Sequence, residues 1–173
     1  MSEGFPKRET ALELSAPVKL QDHHKLDEFD CGEDSINEYL RDRARSAQRS
    51  RSAVVYVACF KDTDVVAGYY TLSSGAVARS DLPTAKLRQN MPGVTPATIL
   101  GRMGLTKEAQ GSGFAKELFR DALRRAIYAS NEVASKVLVV HPLNDELAMW
   151  YAKLGFIHAP KLSPVTMILP LDY

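Results

Sequence analysis

Cysteine is nearly absent. Cys31 and Cys59 are the only two in 173 residues, and they show no metal-type spacing. So few cysteines in a chain of this size predict a reduced, cytoplasmic protein. The four histidines, His23, His24, His141 and His158, are scattered, so no metal site is predicted. No apolar run approaches the roughly 20 residues that cross a bilayer, which predicts no membrane partner. Met1 to Thr10 is polar and charged and lacks the apolar stretch of a secretory signal. There is no internal repeat and no low-complexity linker. The glycine pair Gly111 and Gly113 is not followed by the Lys-Ser/Thr of a nucleoside-triphosphate loop, and it is one glycine short of G-x-G-x-x-G.

The composition that remains is ordinary for a globular chain, with 45% hydrophobic and 25% charged residues. Residues 1–173 are read as one domain. The net charge of +1 hides an asymmetry, because residues 1–40 hold ten acids against four Lys/Arg, a net of −6. The remainder carries 18 Lys/Arg against 11 acids, a net of +7, densest at Arg41, Arg43, Arg45, Arg49 and Arg51. A polyanionic partner fits that body, although solvated charge is the commoner explanation.

Periodicity gives a mixed α/β order. Val18–Leu20 is a short strand. Glu33–Gln48 reads as a helix with Ile36, Leu40, Ala44 and Ala47 on one face, which leaves Arg41, Arg45 and Arg49 at i, i+4, i+8 on the opposite, exposed side. Two strands follow, Ala53–Phe60 and Val65–Leu72, joined by a polar hairpin. Ala78–Pro96, with three prolines, reads as a long loop with one helical turn, and loops of that length are often functional. Thr98–Leu105 is a strand, Gly113–Ala129 an amphipathic helix and Lys136–Val140 a buried strand ended by Pro142. Asn144–Leu154 is a second amphipathic helix stopped by Gly155, and Pro164–Leu169 a last strand.

The run Gln110-Gly111-Ser112-Gly113-Phe114-Ala115 sits where a strand gives way to a helix. A turn with little side-chain bulk presents backbone N–H groups at a helix N-terminus, where the dipole favours negative charge. Such a site suits a pyrophosphate, and hence a nucleotide-like cofactor; a softened loop ahead of a helix is the plainer alternative.

Gln110-x-x-Gly113-x-Ala115 resembles the Q/R-x-x-G-x-G/A signature of the GNAT superfamily of acyl-CoA-dependent N-acyltransferases. Downstream, Asn144-x-x-x-Ala148-x-x-Tyr151-x-x-x-Gly155-Phe156 is similar to that family's second signature, with Ala148 one place out. Three further segments, Phe29-Asp30-Cys31-Gly32, Gly68-Tyr69-Tyr70-Thr71-Leu72 and Leu100-Gly101-Arg102-Met103-Gly104-Leu105, resemble the FDCG, GYY-x-L and LGRLAV segments of the GNAT toxins of bacterial toxin–antitoxin pairs. The chain departs from that pattern at Met103-Gly104-Leu105, where the middle residue stays small, and at Pro142, where a small non-proline residue is usual.

The resemblance covers about Phe29 to Leu169. It implies a single-domain GNAT fold of the α/β (α+β) class, with a central mixed, mainly antiparallel sheet flanked by helices and a splayed strand pair that admits acetyl-CoA. It implies that Gln110, Gly111, Ser112, Gly113, Phe114 and Ala115 hold the pyrophosphate, and that main-chain groups of Met103, Gly104 and Leu105 hold the pantetheine and polarise the thioester. Asn144 would contact the cofactor, besides being a favoured helix N-cap. Tyr151 would protonate the departing thiolate as general acid; alone it would pass for a core aromatic. The implied acceptor is the α-amine of aminoacyl-tRNA, held by Arg41, Arg45, Arg49 and Arg102, and its acetylation would block translation. Implied partners are an antitoxin of ribbon-helix-helix type, through it operator DNA, and a second copy in a homodimer.

No Asp, Glu or His stands out as a general base. An α-amine, with a pKa of about 7.7–8.0, needs less help losing its proton than a lysine at about 10.4, which fits an aminoacyl ester acceptor. Two other readings stay open: a GNAT acting on a small-molecule amine or a protein N-terminus, and a non-enzymatic module that binds CoA or a partner.

Overall fold

The computed structural model describes residues 11–172; the polar segment 1–10 lies outside the described residues. Seven strands form one sheet in the order β1-β2-β3-β4-β5-β7-β6. These are β1 (Val18–Lys19), β2 (Val54–Cys59), β3 (Val66–Ala78), β4 (Val94–Leu105), β5 (Val137–Val140), β6 (Ile157–His158) and β7 (Met167–Pro170). Every neighbouring pair is antiparallel except β4 and β5. The expected α/β fold, a mainly antiparallel sheet flanked by helices, is therefore present.

Helices cover both faces because strand side chains alternate and both sides are apolar. On one face α4 (Phe114–Glu132) and α5 (Asp145–Lys153) bury Phe119, Ala122, Ala126 and Tyr151 against Leu100, Leu138 and Phe156. On the other, α1 (Asp34–Glu38), α2 (Ala44–Arg49) and the stretch between them bury Ile36, Leu40 and Ala44 against Phe29, Val55, Val57 and Tyr69. The helical spacing of Ile36, Leu40 and Ala44 thus marks the buried side, as the sequence predicts.

Three sequence expectations need correction. The first concerns the helix over 33–48, which is interrupted by a π-helical stretch, Tyr39–Arg43, where the Ala44 N–H bonds the Tyr39 carbonyl five residues back. The wider turn changes the angular step between side chains, so Arg41, Arg45 and Arg49 do not form one exposed stripe. Arg41 and Arg49 face solvent. Arg45 instead turns to the preceding loop, where its Nη2 donates to the carbonyls of His24 at 2.8 Å and Asp22 at 3.4 Å.

The second concerns Ala78–Pro96. Strand β3 runs on through Ser73 to Ala78, paired with β4 from Val94 through Ile99, and only 79–93 connects them. That connection is not open loop: α3 (Ala85–Arg88) carries Leu87 into a small core with Leu82, Val77, Val139 and Ile168. The third is the short strand β6, which pairs Ile157 and His158 with Ile168 and Met167 in a segment that carries no strand pattern.

One feature of the sheet sets the site. β5 pairs with β4 only through Ala97–Ile99, opposite Val137–Val139. β4 continues to Leu105 against β3 alone, so a wedge opens between β4 and β5.

Candidate active site

The wedge exposes one edge of β4, and the register fixes which main-chain groups face it. The Thr106 N–H donates to the Ala67 carbonyl at 2.7 Å. Antiparallel residues alternate between bonded and non-bonded pairs, so Gly104 also turns its main chain to β3, opposite Tyr69. Leu105 and Met103 turn theirs towards the wedge. The Gln110 side chain takes the Leu105 carbonyl (2.9 Å) and the Cys31 carbonyl (3.1 Å). The N–H groups of Met103 and Leu105 remain available.

The segments that resemble the toxin pattern meet around this edge. Opposite Thr71, β4 bulges, with Gly101 and Arg102 facing the single residue. Thr71 Oγ1 accepts the Arg102 N–H at 3.0 Å, and a Cβ on Gly101 would lie 2.9 Å from that oxygen, so the bulge needs glycine. Phe29 and Ile36 close over Gly104. Asp30 holds their loop by accepting the Gly32 N–H and the Asn37 amide, both at 3.0 Å, and these bonds keep its carboxyl below the usual carboxylate range. The Asp30 carbonyl accepts the Lys107 N–H at 2.9 Å, tying this loop to the turn that precedes α4.

A Cβ on Gly104 would sit 2.8 Å from Ile36 Cγ2 and 3.3 Å from Phe29 Cζ. Gly104→Val is therefore expected to cost about 1–3 kcal/mol through overpacking. It should also push Ile36 towards the cleft and weaken acetyl-CoA binding at least tenfold. Calorimetric titration together with urea denaturation checks both effects.

In the turn before α4, Gly111 and Gly113 adopt left-handed φ of 84° and 86°. The N–H groups of Gly111, Ser112 and Gly113 have no acceptor among the described residues, and they stand at the start of a 19-residue helix. Three of the six residues read from the sequence as an anion cradle thus present free N–H donors at the positive end of α4. Between this turn, the β4 edge and α5 lies a cleft of about 610 Å³. Met103, Gly104, Leu105, Gln110 and Ala115 line one wall; Leu143, Asn144, Leu147 and Trp150 line the other. The Asn144 Oδ1 accepts the Leu147 N–H at 2.9 Å, so its N-cap role is met, and its amide NH₂ stays free. Pro142 ends β5 and leaves Leu143 exposed on the cleft wall.

Tyr151 sits on α5 next to Trp150 of the cleft wall, 7% exposed, with its ring edge-on to Trp150 at 5.1 Å and to Phe156 at 5.2 Å. Burial pushes its phenol up to about 12. Its hydroxyl has no hydrogen-bond partner, yet no fully enclosed polar side-chain atom among the described residues lacks one, so the Oη keeps contact with solvent. Among the described residues no three His, Cys, Asp or Glu side chains converge to hold a metal.

A second concavity, about 520 Å³, lies on the α2 face of β3 and β4. Arg102 enters it with its guanidinium stacked 4.1 Å from the centre of the Tyr39 ring. Tyr39 stacks in turn on Tyr69, whose hydroxyl donates to the Ile36 carbonyl at 2.7 Å. Arg43 lines the same concavity and was not singled out as a site residue from sequence; the spacing of an uninterrupted helix hides it.

No family model matches the chain. A tRNA-acetylating toxin of Mycobacterium tuberculosis is 35% identical over 158 residues, covering 91% of this chain and 93% of the relative. The structure of AtaT complexed with acetyl-methionyl-tRNAfMet superposes with a TM-score of 0.84 at 28% identity, covering 91% of this chain and 95% of AtaT. A tyrosine-to-phenylalanine mutant of KacT gives 0.85 at 27%, with the same coverage. A tyrosine-to-phenylalanine mutant of AtaT, bound to acetyl-CoA and the C-terminus of the antitoxin AtaR, gives 0.76 at 26%, covering 91% and 93%.

Proposed function

This chain belongs to the GNAT-type tRNA-acetylating toxins, and from that premise we propose that it transfers an acetyl group from acetyl-CoA to the α-amine of an aminoacyl-tRNA, blocking translation. The observation that carries the reading is the open β4 edge: two outward N–H groups, a helix-start cradle and a cleft, in one continuous surface. Bound acetyl-CoA supplies an activated acyl thioester. The N–H groups of Gly111 to Gly113, with Gln110, Phe114 and Ala115 around them, hold its pyrophosphate. Asn144 offers its free amide from the α5 wall. Met103 and Leu105 direct their N–H groups to the thioester carbonyl and stabilise the oxyanion formed on attack. Gly104 between them keeps the strand edge slim.

The amine nitrogen bonds to the acyl carbon, the carbon–sulfur bond breaks, and Tyr151 gives its proton to the departing sulfur. The proton lost from the amine passes to water, from which the phenolate is restored. Of the arginines read as tRNA contacts, Arg41, Arg49 and Arg102 are the ones proposed to touch the tRNA. Arg45 supports it by holding the loop at residues 22–24.

We read residues 1–173 as one such domain, acting in the cytoplasm where charged tRNA is found. A second copy in a homodimer and a ribbon-helix-helix antitoxin, acting through operator DNA, complete the proposed assembly. No helix among the described residues is long and apolar enough to cross a membrane. In a cell-free translation system, protein plus acetyl-CoA should stop synthesis while protein alone should not; arrest without acetyl-CoA would contradict the reading.

The pH profile follows from the two ionisations. The amine reacts unprotonated, so kcat/KM rises with pH up to the pKa of the acceptor amine, at or below about 8. The phenol must be protonated and is raised to about 12, so it does not limit the rate in the neutral range. Initial rates should therefore climb and then stay level to about pH 10. A fall between about pH 8 and pH 10 would assign the acid to a group other than Tyr151.

A further inference from the structure

One histidine stands at the wedge. Side chains of β5 alternate: Leu138 and Val140 enter the core under α4 and α5, while Val137 and Val139 enter the core beside α3. His141 comes next in the alternation, on the α3 side. The parallel register sets Val139 opposite Ile99, so two residues further on His141 is level with Gly101. The strands have parted there, which leaves His141 across the open wedge from Gly101 and Arg102. Ala97 and Ile99 pack on this same face, and the concavity that Arg102 enters opens on it. It is the face on which Arg102 is proposed to meet the tRNA.

The tautomer of this histidine is fixed by its neighbour. Thr166, buried just before β7, donates its hydroxyl proton to the Pro164 carbonyl at 2.8 Å. A carbonyl only accepts and a hydroxyl has one proton, so Thr166 Oγ1 accepts from His141 Nδ1, 3.1 Å away. The neutral ring therefore carries its proton on Nδ1 and its lone pair on Nε2. The side chain is exposed, and Nε2 has no hydrogen-bond partner among the described residues. Protonation would not cost the Thr166 bond, because Nδ1 donates in both states of the ring.

We propose that His141 is the general base of the transfer and takes the proton of the acceptor amine on Nε2 through one water. Paired strands lie about 4.8 Å apart, and the wedge widens that gap into room for an acyl carbon and an attacking nitrogen. As the nitrogen–carbon bond forms and the carbon–sulfur bond breaks, the amine proton goes by water to Nε2 and the Tyr151 proton goes to sulfur. The imidazolium then returns its proton to solvent, from which the phenolate is restored. No other base lines the α2-side concavity: it has no Asp, Glu or His, and a guanidinium has no lone pair to offer. Glu33 and Glu146 line the cleft that the cofactor fills. The inference rests on the acetyl-transfer reading and adds to it the group that accepts the proton.

The test compares wild type, His141→Ala and His141→Asn in single-turnover transfer to an aminoacyl-tRNA and to a small primary amine. The asparagine amide still donates to Thr166 but offers no basic nitrogen. Both variants should lose about 10–100-fold in rate. That is less than a general base often contributes, because an α-amine already has an unprotonated fraction. Acetyl-CoA affinity by calorimetry should stay within about twofold of wild type. Added imidazole should restore part of the rate of His141→Ala in proportion to its concentration and leave wild type unchanged. Wild-type rates in either variant would overturn the proposal, and recovery in His141→Asn alone would reduce His141 to a structural bond. A loss in His141→Ala that imidazole does not relieve would overturn it too. If the loss and its relief appear with the small amine while wild type acetylates no aminoacyl-tRNA, the base stands and the tRNA reading falls.

Discussion

Replacing Tyr151 with phenylalanine should lower the turnover of acetyl transfer by about 10²–10⁴-fold and leave acetyl-CoA affinity within about twofold. The ring of the variant keeps the same edge-on packing with Trp150 and Phe156, and the lost hydroxyl has no protein partner whose desertion would cost stability. Only proton donation to the sulfur is removed. A phenol held at about 12 is a weaker acid than an ordinary thiol at about 8.5, so it would not protonate a free thiolate in water. Within the cleft the departing sulfur loses its water, and the burial that raises the phenol raises the proton affinity of the thiolate too. Single-turnover rates alongside calorimetric acetyl-CoA titration separate chemistry from binding. Wild-type turnover in Tyr151→Phe would remove Tyr151 from the mechanism.

The second large effect is on the fold. Asp121→Ala should cost about 3–5 kcal/mol in urea denaturation. Asp121 lies on α4, buried, and accepts from the Tyr70 hydroxyl and from Arg125 Nε at 3.0 Å. Arg125 stacks 4.2 Å from the centre of the Tyr56 ring and donates to the Pro17 carbonyl at 2.9 Å, so one carboxylate ties α4 to β3, β2 and the segment before β1. Its bond to Arg124 counts for little, because that side chain is 76% exposed. Removing the carboxylate strands the Tyr70 hydroxyl and a half-buried guanidinium, and Tyr70 pairs directly with Met103 at the cofactor edge. Asp121→Asn, which keeps an acceptor, should cost less. Burial pushes the Asp121 carboxyl up, but hydrogen bonds from Tyr70, Arg125 and Arg124 outweigh it and hold the group below its usual value. A lowered folded-state pKa means stability present above the unfolded value of about 3.9 and lost as pH falls through the folded one. The variant should therefore lose less stability than wild type below about pH 4. A cost under about 1 kcal/mol would show that the network is not a structural tie.

The parts of the site legible in the sequence are those that depend on short-range patterns. Gly111 and Gly113 stand at a helix start because only such residues take the left-handed turn without strain, and the pattern from Asn144 to Phe156 fixes a capped amphipathic helix. The open β4 edge is legible only through the resemblance, which implies a splayed strand pair. Other features depend on contacts distant in sequence. Ser73 to Ala76 have weak strand preference and look like loop, yet pairing with Pro96 to Ile99 holds them in β3. Leu82 and Leu87 order the connection at residues 79–93 by reaching a core made of β5 and β7. The π-helical stretch leaves no mark in periodicity, so Arg45 is read as exposed and Arg43 is read only as part of the basic surplus. Tyr151 is singled out by pattern, but its burial follows from the aromatic cluster around Phe119.

The most direct measurement incubates the purified protein with labelled acetyl-CoA and total charged tRNA, then identifies the labelled species. Label should appear on the α-amine of one or a few aminoacyl-tRNAs and be absent from the same tRNA after deacylation. No label on any charged tRNA, with small amines acetylated instead, would contradict the account.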